Sequence, residues 1–362
     1  MEPSKPVENL APTSTAGFVC PHCKHELFSV GEVFTCSVCR RSFGHFVGLP
    51  DFRLGFSESD NAKALAKEFH ASWSKLSYAD MVRLRFNNLR ERGRQSGRDH
   101  STTVWDADEE AHLASYRTRG AAHVQILEHM VERVGGKAPC RFLADIGCGW
   151  GRDLLHLSRL ADSVIGVDVS AFSLLIAKKL LEEEGTTNVR LVLAQGEHLP
   201  FPSGSVDAMN CSATIEHFPN PEEFLQEASR CLMSGGWLFL YYPNRFSLLP
   251  ETHTGIFGLG WLPRRWQEVV VAKLKHGTWD TTLFSRRGFV RTTRGRFPIA
   301  GKWVTGMPPG LEDFAETSKF VSMLGRWYAL AKAGFIIARH LPGCERLLSV
   351  FAPVHFAILV RQ

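Results

Sequence analysis

A short apolar segment that runs into a glycine-rich turn constrains the fold of this chain most. Residues 141–151 read RFLADIGCGWG, and a helical pattern begins near Arg152. Glycines at 147, 149 and 151 let the backbone approach a ligand closely, and a helix N-terminus offers free N–H donors. A second apolar segment, 163–168, ends in Asp168, whose carboxylate can accept hydrogen bonds from both hydroxyls of a ribose. The pattern predicts two parallel strands that bind a nucleotide-like ligand at their carboxyl ends.

Two classes of nucleotide-binding sheet share such a turn. The dinucleotide fingerprint is GxGxxG, whereas the third glycine here comes one residue early, as GxGxG. A lone glycine motif is weak evidence, so the segments that follow decide the class. We predict helices at 171–184 and 222–231, and strands at 188–194, 208–212 and 233–244.

This ordered series closely resembles the class I S-adenosylmethionine-dependent methyltransferases, with ADIGCGWGRD at 144–153 as their first motif. The resemblance covers roughly residues 115–245. It implies a seven-stranded, doubly wound, Rossmann-like α/β sheet, S-adenosylmethionine as cofactor and methyl transfer as reaction. A helix at 111–134 would cover the cofactor. The segments 328–338 and 355–361 would supply a helix, a sixth strand and a seventh, as an antiparallel edge hairpin.

The resemblance also implies a set of cofactor-binding residues. The turn at 147–151 would hold the methionine moiety, Asp168 the ribose, and the residues after the third strand the adenine. That last segment departs from the family, because Gln195 stands where a carboxylate is usual; an amide can still bond an adenine edge. The implied set is Asp145, Gly147, Cys148, Gly149, Gly151, Asp168, Gln195, Gly196, Glu197 and Cys211.

Four of the nine cysteines form two CxxC pairs, Cys20 with Cys23 and Cys36 with Cys39. Zinc binds four thiolates tetrahedrally, and the alternating residues between the pairs predict a hairpin that brings them together. A redox CxxC would need a thioredoxin-like βαβ context, which is lacking here. The pattern predicts a structural Zn²⁺, and residues 43–53 resemble zinc ribbons of the tRNA-methyltransferase-activator type.

These features divide the 362 residues into units. We expect a flexible leader at 1–16, a zinc ribbon at 17–53, a helical connector at 54–110 and a methyltransferase domain at 111–362, with an acceptor lid inserted at 245–300. No apolar run approaches the ~18 residues that span a bilayer, and no signal peptide is recognisable. The sequence therefore favours a cytoplasmic protein without a transmembrane segment.

Three side chains are candidates for the chemistry of transfer. Glu216 and His217 follow the fourth predicted strand, at the edge where open α/β sheets bind ligands. His253 lies in the glycine- and aromatic-rich lid. A base is needed only if the acceptor must lose a proton; otherwise these histidines orient the acceptor, cap a turn or brace the lid. No Asp/Glu/His group has the sequence spacing of a Mg²⁺ site, so we expect metal-independent chemistry.

The acceptor is open. The aromatic lid favours a small-molecule, lipid-linked or glycan acceptor. The zinc ribbon and two basic stretches, 83–98 and 264–296, favour an rRNA or tRNA base instead, although a net charge of +5 is small for extensive RNA contact. A third interpretation is a non-catalytic scaffold that binds cofactor or RNA. Oligomeric state is not predictable from these patterns.

Overall fold

The computed structural model describes residues 17–96, 109–136, 139–251, 253–275, 278–295, 297, 302–306 and 350–362. The predicted leader (1–16) and the predicted helix at 328–338 lie outside these ranges. Within them, no helix is both long enough and apolar enough to cross a membrane.

The N-terminal unit consists of short antiparallel strands. β1 (Leu27–Val30) and β2 (Val33–Cys36) form the predicted hairpin, and β3 (Ser42–Phe43) pairs with β2. A second small ribbon follows, made of β4 (His45–Phe46) and β5 (Leu49–Pro50). Leu27, Phe34 and Phe43 of this unit join a core cluster of the main domain, so the unit packs on the sheet instead of standing apart.

The segment predicted as a helical connector, 54–110, contains two separate helices in its described part. α1 (Asp60–Ala71) and α2 (Tyr78–Ser96) are separated by a turn of 3₁₀ helix at Trp73–Lys75. Ser77 starts α2 through a capping box with Asp80: Ser77 Oγ accepts from the Asp80 N–H, and the Asp80 carboxylate accepts from the Ser77 N–H at 3.0 Å. This local Ser-x-x-Asp signal starts a second helix, whereas hydrophobic periodicity alone indicates one continuous helix.

The main domain is an α/β sheet with helices on both faces, which confirms the predicted α/β class. After α3 (Glu109–Arg133) its elements are β6 (Cys140–Ile146), α4 (Leu154–Leu157), β7 (Ala161–Asp168), α5 (Ala171–Glu183), β8 (Val189–Leu193), β9 (Val206–Ser212), α6 (Pro221–Cys231), β10 (Leu232–Pro243), α7 (Arg264–Lys275), α8 (Arg286–Thr293), β11 (Lys302–Gly306) and β12 (Val354–Val360). The strand order is β11-β12-β10-β9-β6-β7-β8. β10, β9, β6, β7 and β8 are mutually parallel neighbours, and β12 is antiparallel to both β10 and β11.

Alternate residues of β6 enter two different cores. Leu143 packs with α1, α2, α3 and α5 on one face, whereas Ala144 packs with α6, α8 and the ribbon on the other. The period of two in side-chain direction gives this strand two apolar faces, as a sheet covered on both sides requires.

One edge strand differs from the prediction. β11 lies at 302–306, where no strand was predicted, and the chain between the predicted helix at 328–338 and residue 350, where a sixth strand was expected, lies outside the described residues. The seventh predicted strand, 355–361, corresponds to β12. A five-residue edge strand has too weak a periodic signal to be told from a loop.

Candidate functional site

The glycine turn after β6 needs glycine at two positions for different reasons. Gly147, Gly149 and Gly151 all have positive φ, at +71°, +53° and +83°. A Cβ on Gly147 would stand 2.1 Å from Thr214 Cγ2, so that glycine is required by packing. A Cβ on Gly149 would meet no atom of the described residues within 4 Å, so this glycine borders open space. The turn therefore offers bare backbone to a ligand at Gly149.

Asp168 at the end of β7 is tied to that turn. Its Oδ2 accepts the N–H of Gly149 and its Oδ1 accepts the N–H of Ser170, each at 2.9 Å. Because both bonds come from backbone, they fix the carboxylate while leaving lone pairs for a ligand hydroxyl. The sequence-predicted pair of turn and acid is thus brought together.

Asp145, the last polar residue of β6, is buried beneath the turn. Its Oδ1 accepts from Asn210 Nδ2 at 2.7 Å, while its Oδ2 has no hydrogen-bond partner among the described residues. Burial raises the pKa of Asp145 well above its usual value. A buried carboxyl oxygen without a partner is costly unless a ligand donor reaches it.

The predicted adenine segment has a different neighbour. Both ends of the Gln195 amide bond to the backbone of Leu54: the Leu54 N–H donates to Oε1 at 2.7 Å, and Nε2 donates to the Leu54 carbonyl at 3.2 Å. Gly196 lies against Phe218, and Glu197 keeps one buried oxygen without a hydrogen-bond partner. Burial raises the pKa of Glu197.

The two cysteines of the predicted cofactor-binding set, Cys148 and Cys211, are both buried among apolar side chains. Cys211 is fully buried in β9 within the core cluster that includes α6, and Cys148 is 8% exposed. Burial raises the pKa of both thiols well above the ordinary value. These thiols act as small core side chains, so any contribution of residues 148 and 211 to cofactor binding comes from their backbone atoms.

A linker segment, residues 51–58, runs along the carboxyl ends of β7 and β8. Arg53 Nη1 donates to Glu58 and to the Val169 carbonyl, both at 2.8 Å, and Glu58 Oε1 accepts the N–H of Ala171 at 2.9 Å. The sequence did not predict that Arg53 and Glu58 lie near the end of β7 that carries Asp168. Their only sequence signal is a charge pair, which is common on solvated surfaces.

A buried polar group joins α3 to the residues after the glycine turn. His123 Nδ1 lies 3.3 Å from Asp153 Oδ2 and accepts from Arg152 Nη2 at 3.0 Å. A Cβ on Gly120 would be 2.3 Å from the Arg152 carbonyl oxygen, so α3 approaches the turn very closely. The helix predicted to cover the cofactor therefore packs directly against the glycine turn. His123 was not singled out from sequence.

The three candidate chemical residues come together in one place, which we call the Glu–His cluster: Glu216, His217, His253 and the adjoining Glu251. His217 Nε2 lies 3.1 Å from His253 Nε2, and His253 Nε2 lies 3.8 Å from Glu216 Oε1. Thr214, two residues before Glu216, donates its hydroxyl to the Gly147 carbonyl at 3.2 Å. The cluster therefore lies beside the glycine turn.

Burial sets the charge preferences in this cluster. Glu216 is 0% exposed, and burial raises its pKa to about 7. Burial opposes the charged form of His253, but the hydrogen bond and charge of Glu251 outweigh it, so the pKa of His253 is raised. His253 Nδ1 lies 2.6 Å from Glu251 Oε1, and the other Glu251 oxygen accepts from the N–H and hydroxyl of Thr254.

The segment predicted to form the lid, 245–300, carries basic residues that donate to backbone carbonyls and apolar residues that face solvent. Arg245 Nε donates to the Gly260 carbonyl at 2.9 Å, and Arg264 Nη2 donates to the Trp279 carbonyl at 2.8 Å. Phe257 and Leu274 are 68% and 64% exposed. At least two arginines of this region therefore have structural partners, while large apolar side chains remain accessible.

The four predicted zinc ligands are also brought together. Cys20 Sγ lies 3.6 Å from Cys39 Sγ, Cys23 Sγ lies 3.3 Å from Cys36 Sγ, and all four sulfurs lie within 4.8 Å of one another. Four sulfurs around zinc at about 2.3 Å would be about 3.8 Å apart. His25 contacts the Cys23 carbonyl instead and is not part of this group.

Comparison with known proteins agrees with this geometry. A family profile described as a methyltransferase domain matches residues 144–240. The ubiquinone biosynthesis O-methyltransferase of Paracidovorax citrulli is 33% identical over 168 residues, which is 45% of this chain and 70% of that protein. The uncharacterized methyltransferase YcgJ of Bacillus subtilis is 32% identical over 111 residues, 31% of this chain and 44% of that protein.

The solved structures that align with this chain do so at low similarity. The crystal structure of YcgJ from Bacillus subtilis aligns with 62% of this chain and 94% of its own at 19% identity and a TM-score of 0.37. Phosphoethanolamine N-methyltransferase 2 of Haemonchus contortus, with S-adenosyl-L-methionine bound, aligns with 64% of this chain and 51% of its own at 15% identity and a TM-score of 0.42.

The sequence matches cover the sheet from β6 to β10 and the glycine turn, Asp168 and the end of β9 with it. The Paracidovorax citrulli relative is matched over more than two thirds of its length, at one residue in three. The chain belongs to the class I S-adenosylmethionine-dependent methyltransferases.

Proposed function

We propose that this enzyme methylates a hydroxyl group of a small-molecule acceptor, a class that includes lipid-linked and glycan molecules. The observation that carries the proposal is the Glu–His cluster at the end of β9, beside the glycine turn and under a lid with exposed apolar side chains. A similarity of 33% to a ubiquinone biosynthesis O-methyltransferase supports a hydroxyl acceptor.

The cofactor binds along the carboxyl ends of β6, β7 and β8. The turn from Gly147 to Gly151 holds its methionine moiety, Asp168 accepts the ribose hydroxyls, and residues 195–197 flank the adenine. Open space at Gly149 and the partnerless oxygen of Asp145 support this fit. When bound, S-adenosylmethionine supplies a methyl group on a positively charged sulfur, which is an already activated carbon.

The protein's contribution to transfer is alignment and proton removal. A hydroxyl oxygen becomes a good nucleophile as it loses its proton, and a positioned group that takes or releases that proton accelerates transfer. Glu216, His217 and His253 fill this role, because Glu216 and His217 follow β9 directly and the proposed lid brings His253 to them. The bound cofactor would supply the methyl group to the acceptor oxygen, and the proton taken by these side chains would pass to solvent.

The cysteine cluster serves a structural purpose in this proposal. Cys20, Cys23, Cys36 and Cys39 hold Zn²⁺ and stabilise the ribbon at 17–53. The backbone pairs the ribbon with the main domain, since the Val19 N–H donates to the Pro200 carbonyl and the Phe52 N–H to the Leu193 carbonyl. The connector at 54–110 and the lid at 245–300 complete the proposed domain division.

Labelled cofactor distinguishes the acceptor classes. Purified enzyme and methyl-labelled S-adenosylmethionine are incubated with an extract from cells lacking this protein, and the products are separated by solvent extraction and nuclease treatment. We expect label in the organic or small-molecule fraction, resistant to nuclease. Label released only by nuclease would establish an RNA acceptor instead, and failure to bind cofactor in a calorimeter would revive the scaffold interpretation.

Asp168→Ala is the matched control for that experiment. Loss of the ribose-binding carboxylate should weaken cofactor affinity at least ~10-fold, since charge-assisted hydrogen bonds contribute about 1.5–3 kcal/mol each. Unchanged affinity in this variant would remove the cofactor from the proposed position.

A further inference from the structure

The geometry points to a divalent-cation site formed by Glu216, His217 and His253, separate from the cysteine cluster. The inference deepens the proposed function, on which its catalytic part rests, because the cation would bind the acceptor oxygen. His217 and His253 lie 36 positions apart in the chain, so the site exists only once the segment that carries His253 has folded over the end of β9.

The distances suit a shared cation. Nitrogen and carboxylate ligands of zinc lie at about 2.0–2.2 Å from the metal, so neighbouring ligand atoms of a tetrahedral site are about 3.3–3.6 Å apart. The two Nε2 atoms are 3.1 Å apart, Glu216 Oε1 is 3.8 Å from His253 Nε2, and the ligand atoms of the three residues all lie within 4.8 Å of one another. Small side-chain shifts would bring these atoms onto one cation.

The tautomer of His253 places a nitrogen lone pair towards the proposed cation position. Its Nδ1 lies 2.6 Å from Glu251 Oε1, and an ionised carboxylate can only accept, so Nδ1 carries the proton. In the neutral ring Nε2 then holds the lone pair, and it faces His217 and Glu216. A carboxylate behind a ligating histidine is the usual arrangement in metal sites, because it fixes the ring and raises its basicity.

Glu216 supplies the second, independent observation. Its side chain is 0% exposed, and both carboxylate oxygens have no hydrogen-bond partner within the described part of the chain. A buried carboxylate without donors is strongly destabilising, whereas coordination of a cation compensates its charge. The nearest cationic candidate is His253, at a distance too long for a good hydrogen bond.

Two imidazoles and one carboxylate indicate the class of metal. Catalytic zinc sites use three protein ligands of these kinds and keep a further position open, and first-row divalent cations favour imidazole nitrogen. His217 is exposed, so the open position faces solvent and the lid. An acceptor hydroxyl bound there would lose its proton more readily, in the way that a zinc-bound water does.

Metal stoichiometry of the full-length, tag-free protein tests the site without an acceptor. After treatment with chelator, the protein is titrated with Zn²⁺ by dialysis and with Co²⁺ by absorption spectroscopy. We expect two equivalents to bind: one gives the intense thiolate bands of the cysteine cluster, and one gives only weak bands typical of nitrogen and oxygen ligands.

Three variants assign the second equivalent. Each variant should bind one equivalent of metal and keep the thiolate bands: Glu216→Gln, His217→Gln and His253→Gln. Because His217 is exposed, its replacement leaves the fold intact. His129→Gln, which changes an exposed histidine of α3, should still bind two. A wild-type protein that binds metal only with thiolate bands, or a His217→Gln variant that keeps both equivalents, would overturn the site.

The same samples separate this inference from the proposed function. We expect enzyme that holds one equivalent of Zn²⁺, in the cysteine cluster, to bind S-adenosylmethionine normally but to lose at least ~100-fold in methyl transfer to the acceptor fraction, with recovery on adding the second equivalent. Equal transfer by enzyme with one and with two equivalents would overturn the catalytic part of the inference. Two equivalents of metal with no labelled small molecule would leave the cation site standing and contradict the hydroxyl acceptor.

Discussion

The Gln195 side chain makes two hydrogen bonds with the backbone of Leu54: its Oε1 accepts the Leu54 N–H at 2.7 Å, and its Nε2 donates to the Leu54 carbonyl at 3.2 Å. The two residues are 141 positions apart, and the bonds fasten the linker segment 51–58 to the loop after β8. In this way one side chain joins the linker segment to the proposed adenine-binding loop.

Replacement of Gln195 should therefore affect both stability and cofactor binding. Gln195→Ala removes two hydrogen bonds, each contributing about 0.5–1.5 kcal/mol, so we expect a loss of ~1–3 kcal/mol in the free energy of unfolding. Because the linker segment lies beside the cofactor site, affinity for S-adenosylmethionine should fall several-fold. Urea denaturation and calorimetry measure the two effects. Gln226→Ala, at an exposed position of α6, should change neither.

The Arg53–Glu58 ion pair predicts a larger loss. The two side chains are 8% and 4% exposed, and the nitrogen–oxygen distance is 2.8 Å. Removing one member of a buried pair leaves an uncompensated charge and typically costs 3–5 kcal/mol. We expect Arg53→Met to lower the free energy of unfolding by about 3 kcal/mol.

An exposed pair provides the control for Arg53. Arg141 is 81% exposed and lies 3.7 Å from Asp207, so Arg141→Met should cost no more than about 1 kcal/mol. Similar losses in the two variants would mean that the linker segment is not buried in solution.

Sequence patterns predicted the parts of the site that are local in the chain. The glycine turn and Asp168 are each encoded within a strand end, and the cysteine pairs within two knuckles, so residue type and spacing were sufficient. The Glu–His cluster was foreseen only as separate candidates, because His253 reaches Glu216 through the folding of the lid. Arg53, Glu58 and His123 were missed, since only tertiary contacts distinguish them from ordinary charged or polar surface residues.

Removal of zinc should destabilise the chain beyond the ribbon. The ribbon's Phe34 and Phe52 are buried in the same core cluster as Ala144 and Ile146 of β6. Loss of metal ligation, on the order of 10 kcal/mol for isolated zinc modules, should expose this shared surface. We expect Cys36→Ser to lower the melting temperature of the whole protein, measured by circular dichroism and metal content. Cys140→Ser, outside the cysteine cluster, should retain the metal, and an unchanged melting temperature in Cys36→Ser would show that the ribbon is thermally independent.

The two glycines of the turn should fail in different ways when replaced by alanine. At Gly147 a Cβ would stand 2.1 Å from Thr214 Cγ2, and φ is +71°. At Gly149 no described atom lies within 4 Å of the added Cβ, so only the left-handed backbone is penalised, by about 1–2 kcal/mol. We therefore expect Gly147→Ala to lower the free energy of unfolding more than Gly149→Ala does.

Cofactor affinity separates the two replacements further. The methyl group of Gly149→Ala would occupy the open space that the proposed methionine moiety enters, so this variant should remain folded and lose cofactor binding at least ~10-fold, or about 1.4 kcal/mol. Thermal denaturation and calorimetry on the same samples give both quantities. Normal affinity in a folded Gly149→Ala protein would place the cofactor away from this glycine, whereas selective loss of affinity would locate the ligand against the bare backbone of the turn.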